Sequence, residues 1–292
     1  MGGPGLPQLA IRLLGLGDNT IDTYVDLALQ FPRGNAVNVA VFASRLGAEA
    51  GYLGCLGDDE GGDLLAAALA AEGVDLRLCR RRAGANARAM IGLEGGERRF
   101  LAANSGVRAE YMFTQADLAS VVTYDVVHTG INSEAEDVLP VIRQHAVLLS
   151  YDCSEGPFSP RATAALPLAD IAFFSAPHAP PATCTALLEQ IAAAGPPIVV
   201  ATRGAAGAMA LAEGQVFDEP AVPIRPVDTL GAGDAFIAAF LIAHLSRRPI
   251  GEALAAGTRL AADVCRAHGA FGHGAPWHGA AATILARTEQ HP

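Results

Sequence analysis

Short apolar runs alternate with stretches of helical periodicity along most of the chain. The apolar runs predict strands at residues 11–16, 51–56, 126–128, 147–151, 171–174 and 198–202, followed by a hairpin of residues 209–211 and 216–217. Apolar side chains spaced three or four positions apart predict helices at residues 38–46, 62–72, 134–145, 184–194, 234–245 and 250–267. This alternation predicts an α/β fold of three layers, in which helices cover both faces of a mostly parallel central sheet.

Two segments interrupt the alternation, one near residues 20–33 and one near residues 87–103. Both show the alternating polar and apolar positions of short strands, and Gly95 and Gly96 in the second segment signal a hairpin. No linker or internal repeat separates these segments from the rest of the chain. We therefore expect a single domain over residues 1–292.

The charged residues exclude several classes of function. The net charge is −10 and no basic face can be identified, which argues against nucleic acid as a partner. All 20 basic residues are arginines. P-loop proteins and protein kinases both need a lysine near the phosphates, so both classes are excluded, as is a lysine Schiff base.

Apolar runs and cysteines bear on the location of the protein. No apolar run approaches the roughly 18 residues that a membrane span requires, and the first residues lack the pattern of a secretory signal. The five cysteines are scattered and form no C-x-x-C pair, so neither a zinc site nor a disulfide framework is predicted. We expect a cytoplasmic protein without a membrane partner.

The motif DTLGAGD at residues 228–234 lies between an extended stretch and a predicted helix. The backbone amides of Gly231, Ala232 and Gly233 would lie unpaired at the helix N-terminus, where the helix dipole favours a phosphate group. A carboxylate at Asp234 would repel a resting phosphate, but it could abstract a proton from an attacking hydroxyl. The alternative is an ordinary helix start with an acid in its first turn.

The same motif resembles the second signature, D-T-x-G-A-G-D, of the ribokinase-like (PfkB) carbohydrate kinases. Residues 34–40 (GNAVNVA) resemble the first signature of that family, and residues 54–59, 202–204 and 269–270 match further segments in family order. The resemblance covers roughly residues 11–277. Within the family, the chain is most similar to the fructoselysine 6-kinases.

The resemblance implies an ATP-dependent kinase that transfers the γ-phosphate to a primary hydroxyl of a ketose or a fructosamine. Asp234 would be the general base, and the amides of Gly231, Ala232 and Gly233 would form the anion hole. ATP and Mg²⁺ would be required. Fructose, ribose, ketogluconate and nucleosides remain alternative substrates, and a non-catalytic sugar- or nucleotide-binding regulatory relative is an alternative function.

Family likeness also implies the remaining site residues. Those expected to face the sugar are Asp22, Asp18, Gly34, Asn35, Asn38, Asn104 and Arg98. Those expected near the nucleotide are Thr202, Arg203, Gly204, Gly231, Gly233, Gly257 and Gly269, with Asp228 at a monovalent-cation site such as one for K⁺. The segments near 20–33 and 87–103 would pair into a small β-sheet lid over the sugar, through which a homodimer could form.

The chain departs from the family pattern at two places. The first signature usually begins with two glycines, but Arg33 replaces the first of them. The family's N-x-x-E motif is replaced by residues 175–178 (SAPH), which lack the acid. If the substrate has an amino-acid carboxylate, Arg33, Arg98 or Arg99 could bind it. We expect the loop residues His268, His273 and His278 to line the nucleotide pocket.

Overall fold

The computed structural model describes residues 10–94, 97–110, 112–145, 148–177 and 179–279. Their strands, in chain order, are β1 (Arg12–Gly17), β2 (Thr20–Tyr24), β3 (Leu29–Arg33), β4 (Glu49–Gly57), β5 (Arg80–Arg82), β6 (Arg88–Glu94), β7 (Glu97–Asn104), β8 (Val126–Gly130), β9 (Leu149–Asp152), β10 (Ile171–Ser175), β11 (Ile198–Thr202), β12 (Ala208–Ala212), β13 (Gln215–Glu219) and β14 (Ala275–Pro276). The α-helices are α1 (Asn35–Arg45), α2 (Glu60–Ala71), α3 (Gln115–Ala119), α4 (Leu139–His145), α5 (Pro160–Ala165), α6 (Pro181–Ala192), α7 (Ala232–Leu245) and α8 (Ile250–Val264).

Nine of these strands form the central sheet, in the order β13-β12-β11-β10-β9-β8-β1-β4-β5. Every neighbouring pair from β11 to β5 is parallel, and the pairs β11–β12 and β12–β13 at one edge are antiparallel. The predicted parallel sheet with a terminal hairpin is therefore confirmed. Since the carboxyl ends of parallel strands meet along one edge, the loops that follow β1, β8 and β9 lie side by side.

Helices cover both faces of this sheet, as the alternating pattern predicts. One face packs against α1, α2, α7 and α8 around buried side chains such as Phe42, Leu65 and Phe240. The other face packs against α3 to α6 around side chains such as Leu139 and Leu188. None of the helices in the described ranges combines the length and apolar character that a membrane crossing requires.

A second sheet of five strands, in the order β14-β3-β2-β6-β7, lies beside the central one. Strands β2 and β6 pair in parallel with Asp22 opposite Ala89, which confirms that the two interrupting segments come together. Tyr24 and Phe31 pack edge to face at 5.7 Å between ring centroids, in a small apolar cluster with Ile91. The predicted hairpin tip at residues 95–96 lies outside the described residues.

The predicted helices differ from the observed ones by up to five residues at an end, and two of these differences have a local cause. The helix predicted from residue 134 begins at Leu139. Proline is accepted only in the first turn of a helix, which places the start close to Pro140, and Glu134 has a left-handed φ of 54° that a helix cannot include. The helix predicted to run to residue 267 ends at Val264, and the Cys265 carbonyl instead accepts the backbone amide of Val227 at 2.8 Å.

Candidate active site

A cavity of about 400 Å³ lies between the carboxyl edge of the central sheet and the second sheet. Among the residues predicted for the site, Asp18, Gly34, Asn35, Asn104 and Asp234 line it. Its other lining residues include Asn19, Arg33, Arg88, Phe100, Ser105, Arg108, Asn132, Asp152 and Ser154. The two signatures, about two hundred residues apart in sequence, therefore contribute to one cavity.

Asp234 lies in the first turn of α7, and two asparagine amides hold its carboxylate. Asn38 Nδ2 donates to Oδ2 at 2.5 Å, and Asn35 Nδ2 donates to Oδ1 at 2.8 Å. Burial raises the pKa of Asp234 to about 6, against the opposing effects of these hydrogen bonds and of the Arg33 charge. The carboxylate is thus ionised at neutral pH and basic enough to accept a proton.

The N-terminus of α7 provides backbone amides beside Asp234. Gly231 is the N-cap and has a left-handed φ of 74°; a Cβ atom there would lie 2.5 Å from the Cβ of Ala270. Open space surrounds the corresponding position at Gly233. The expectation of three unpaired amides needs one correction, because the amide of Ala232 donates to the Thr229 carbonyl at 3.3 Å.

The side chain of Asn35 is held in one orientation by partners on two strands and one helix. Besides Asp234, its Nδ2 donates to Asp152 Oδ2 at 3.0 Å, and its Oδ1 lies 3.0 Å from His128 Nε2. His128 is fully buried, and burial lowers its pKa to about 3, so the ring is neutral. Since Asn35 Oδ1 accepts a hydrogen bond from Nε2–H, His128 Nδ1 is the acceptor for the Ser150 hydroxyl at 2.9 Å.

Asp152 is a cavity residue that the sequence analysis missed. It is the last residue of β9, and the backbone amide of Ser154 donates to its Oδ1 at 2.8 Å. Burial raises the pKa of Asp152 to about 7, and the nearby charges of Asp234 and Asp18 raise it further against the Ser154 hydrogen bonds. Its position could have been predicted, because it is an acid at the carboxyl end of a buried parallel strand, where ligands bind in such sheets.

Asp18 anchors the start of helix α1. Its carboxylate accepts the backbone amides of Asn35 and Ala36 at 2.8 and 2.9 Å, and the Ser133 hydroxyl donates to it at 3.1 Å. Gly34 has a φ of 146°, and a Cβ there would lie 2.6 Å from the Asp18 carbonyl oxygen. This support lets α1 begin at Asn35, three residues earlier than the periodicity predicts.

The other residues predicted to face the sugar have different positions. Asp22 is fully buried in the second sheet and accepts a hydrogen bond from Arg33 Nη1 at 3.3 Å, so it does not line the cavity. Asn38 is also fully buried and contacts Asp234. The side chain of Arg98 lies outside the described residues.

Several residues that were predicted to lie near the nucleotide are found around β11 and α8. Thr202 ends β11 and Gly204 follows with a φ of 56°, but the guanidinium of Arg203 binds Asp218 at 2.6 Å and the Ala206 carbonyl at 3.1 Å. At Gly257 a Cβ would lie 2.5 Å from the ring of Phe236, so packing between α7 and α8 already requires a glycine there.

Asp228 connects the second sheet with two loops. Its carboxylate accepts the amides of Leu230 and Gly269 at 3.0 and 3.1 Å and the Tyr24 hydroxyl at 3.4 Å. No group of three or more histidine, cysteine or acidic side chains suited to a metal ion occurs in the described part of the chain. Of the loop histidines, His273 binds Glu72 at 2.6 Å, next to helix α2.

Comparison with known proteins identifies the family. A family model described as pfkB family carbohydrate kinase matches residues 29–276. The chain is 36% identical to fructosamine kinase FrlD of Bacillus subtilis (91% of this chain and 95% of that protein) and 35% identical to fructoselysine 6-kinase of Escherichia coli (89% and 99%).

Solved structures support the same fold. A ribokinase from Arabidopsis thaliana, complexed with ribose and ATP, matches with a TM-score of 0.79 at 20% identity, over 94% of this chain and 98% of that one. A fructokinase from Xylella fastidiosa with bound ATP matches with a TM-score of 0.72 at 21% identity, over 96% and 98%. With one family model matching most of its length and two bacterial relatives aligned almost end to end, the chain belongs to the pfkB family of carbohydrate kinases, and it is a phosphotransferase.

Proposed function

We propose that this protein is an ATP-dependent kinase that phosphorylates a primary hydroxyl of a fructosamine, with Asp234 as the general base. The observation behind the proposal is the position of Asp234, which lines the cavity at the first turn of α7. The open space at Gly233 lies one residue away. A proton acceptor and a helix N-terminus that favours phosphate are therefore next to each other, as transfer to a hydroxyl requires.

Asp234 would take the proton of the acceptor hydroxyl as that oxygen attacks the γ-phosphorus. Both of its carboxylate oxygens accept hydrogen bonds, from Asn35 and Asn38, so the side chain is positioned before the substrate arrives. The first-turn amides of α7 would stabilise the negative charge on the transferring phosphoryl group. The bond from the γ-phosphorus to the bridging oxygen of ADP breaks as the new P–O bond forms.

Mg²⁺ would arrive with the nucleotide. No dedicated metal cluster lies in the described ranges, and Mg²⁺ commonly takes most of its ligands from water and phosphate oxygens. Bound in this way, Mg²⁺ would neutralise charge on the phosphates. A monovalent cation at Asp228 stays a prediction, since that carboxylate accepts two backbone amides and a hydroxyl.

A fructosamine is the first choice of substrate because the relatives named for fructosamine and fructoselysine align with this chain at 36% and 35% identity. Fructose, ribose, ketogluconate and nucleosides remain the alternatives. Arg33, one of the two departures from the family pattern, is accommodated by its ion pair with Asp22. The other departure includes His178, which lies outside the described residues.

A coupled assay of ADP release tests the proposal, with fructoselysine, fructose, ribose, ketogluconate and adenosine as acceptors. We expect turnover with fructoselysine, and a loss of about 10²- to 10⁴-fold in kcat for Asp234→Asn with substrate binding retained in calorimetry. Asp263→Asn, at an exposed carboxylate on α8, is the matched control. An undiminished rate in Asp234→Asn would exclude the general-base role, and ATP binding without turnover on any acceptor would favour a regulatory protein.

The homodimer through the β lid also stays a prediction. Leu101 on β7 supports it, because its side chain is 39% exposed on the second sheet. Light scattering of the wild type and of Leu101→Ser tests this prediction. A monomeric wild type would contradict it.

A further inference from the structure

A second cavity, of about 200 Å³, lies beside the first, and Arg108 lines both. Arg108 belongs to the short 3-10 helix Gly106–Glu110. The lining of this second cavity is mostly apolar, with two acids, and includes Arg108, Met112, Phe113, Glu134, Asp137 and Val138. A molecule longer than a hexose could therefore occupy the first cavity with its sugar and extend past Arg108 into the second.

Arg108 was not among the arginines predicted to bind a substrate carboxylate, and two of those that were are not available in the same way. Arg33 pairs with Asp22, and Arg99 is not among the residues that line the first cavity. Arg88 lines it, but its Nη1 donates to Thr23 and to Gln30.

Arg108 has a hydrogen-bond donor without an acceptor in the described part of the chain. A guanidinium has five N–H donors, and Nη1 of Arg108 donates to the Asn132 carbonyl. Its Nε–H has no acceptor among the described residues. A carboxylate that reached this guanidinium would supply the missing acceptor.

We infer that the second cavity binds the amino-acid end of a fructosamine, with Arg108 on its carboxylate and Asp137 on its α-ammonium group. Met112, Phe113 and Val138 would contact the methylene chain between that end and the sugar. Charge favours a zwitterion over a phosphate here, because Glu134 and Asp137 would repel a dianion. Glu134 already pairs with Arg161 at 3.2 Å, which leaves Asp137 as the partner of the ammonium group. This inference rests on the proposed function and extends it to the part of the substrate beyond the sugar.

A steady-state assay with four fructosamines distinguishes the contribution of the substrate carboxylate from that of its ammonium group. They are 1-amino-1-deoxyfructose adducts whose nitrogen belongs to the lysine ε-amine (both charges), to 6-aminohexanoate (carboxylate only), to 1,5-diaminopentane (ammonium only) or to pentylamine (neither). We expect Arg108→Gln to raise KM about 10- to 100-fold for the two substrates with a carboxylate and less than twofold for the other two. Asp137→Asn should raise KM about 2- to 5-fold only for the two substrates with an ammonium group.

Arg143→Gln is the charge-matched control, because Arg143 pairs with Asp170 at an exposed position away from both cavities. Arg108→Lys should recover part of the loss on the carboxylate substrates, which separates charge recognition from a general structural effect. An equal KM change for all four substrates in Arg108→Gln, or no change for any, would overturn the inference while leaving the proposed function intact. A wild type that phosphorylates fructose but none of the four adducts would reject the fructosamine proposal itself.

Discussion

The side-chain amide of Asn35 donates to Asp234 Oδ1 at 2.8 Å, across 199 positions of sequence. The same nitrogen donates to Asp152 Oδ2, so one amide group links the two acids of the cavity that have raised pKa values. Asn38 completes the support of Asp234 from the next turn of α1. Asparagines at these positions stabilise the ionised form of Asp234 without adding charge.

The hydrogen bond from Asn38 lowers the pKa of Asp234, which burial raises to about 6. Because a general base must be ionised, kcat/KM should fall tenfold per pH unit below about pH 6. In Asn38→Ala this acid limb should move to higher pH, and in Asn38→Asp it should move further because a second carboxylate would face Asp234. The pH dependence of kcat/KM measures both shifts, and the same limb in all three proteins would contradict the role of Asp234.

Asp152 should destabilise the folded protein as pH rises. Burial raises its pKa to about 7, against about 4 in an unfolded chain, so the folded state binds more protons between these values. The free energy of unfolding therefore falls as pH rises through this window. We expect Asp152→Asn to raise Tm at pH 8 and to change it little at pH 4. Asp263→Asn, on the exposed end of α8, should show no such trend, and a Tm difference independent of pH would refute the prediction.

Gly233→Ala should separate stability from activity. A Cβ at Gly233 meets open space, and alanine is favoured over glycine in a helix by up to about 1 kcal/mol, so Tm should hold or rise. We expect kcat to fall at least tenfold, because the added methyl group occupies the space proposed for the phosphoryl group. Gly251→Ala is the matched control, as its Cβ also meets open space in the first turn of α8. Full activity in Gly233→Ala would show that the phosphoryl group does not bind at this position.

His128 should act on catalysis through Asn35. His128→Leu leaves Asn35 Oδ1 and the Ser150 hydroxyl without their partner, which should lower kcat about 2- to 10-fold and destabilise the fold by about 1–3 kcal/mol. His128→Gln can still donate to Asn35 and should restore part of kcat. Thermal denaturation and steady-state kinetics measure the two effects. A loss of stability with unchanged kcat would make His128 a purely structural residue.

Local signals account for the features that the sequence analysis predicted. The alternation of apolar runs and helical spacing predicted the parallel sheet, and the glycines and acid of residues 228–234 predicted the start of α7. Helix and strand patterns depend on neighbouring residues, so one sequence suffices to find them. The short strand β14 was missed because a pair of residues has no periodicity to detect.

Roles that depend on distant partners were not predictable in this way. Asp18 was expected to face the sugar and also stabilises the N-terminus of α1. Arg203 was expected near the nucleotide, and its guanidinium binds Asp218. Asp152 has no local motif, and its position beside Asn35 results from the strand order. Each of these side chains binds a partner that comes close to it only when the sheet assembles.

The sequence by itself determined the family, the order of strands and helices, and the residues at the helix start that suit phosphate transfer. Tertiary structure alone decided which acids face the cavity, which asparagines hold Asp234 and which arginine lines both cavities. The reason is physical: backbone propensity and apolar periodicity act over a few residues, whereas burial and hydrogen bonding of polar groups depend on segments that meet only after folding.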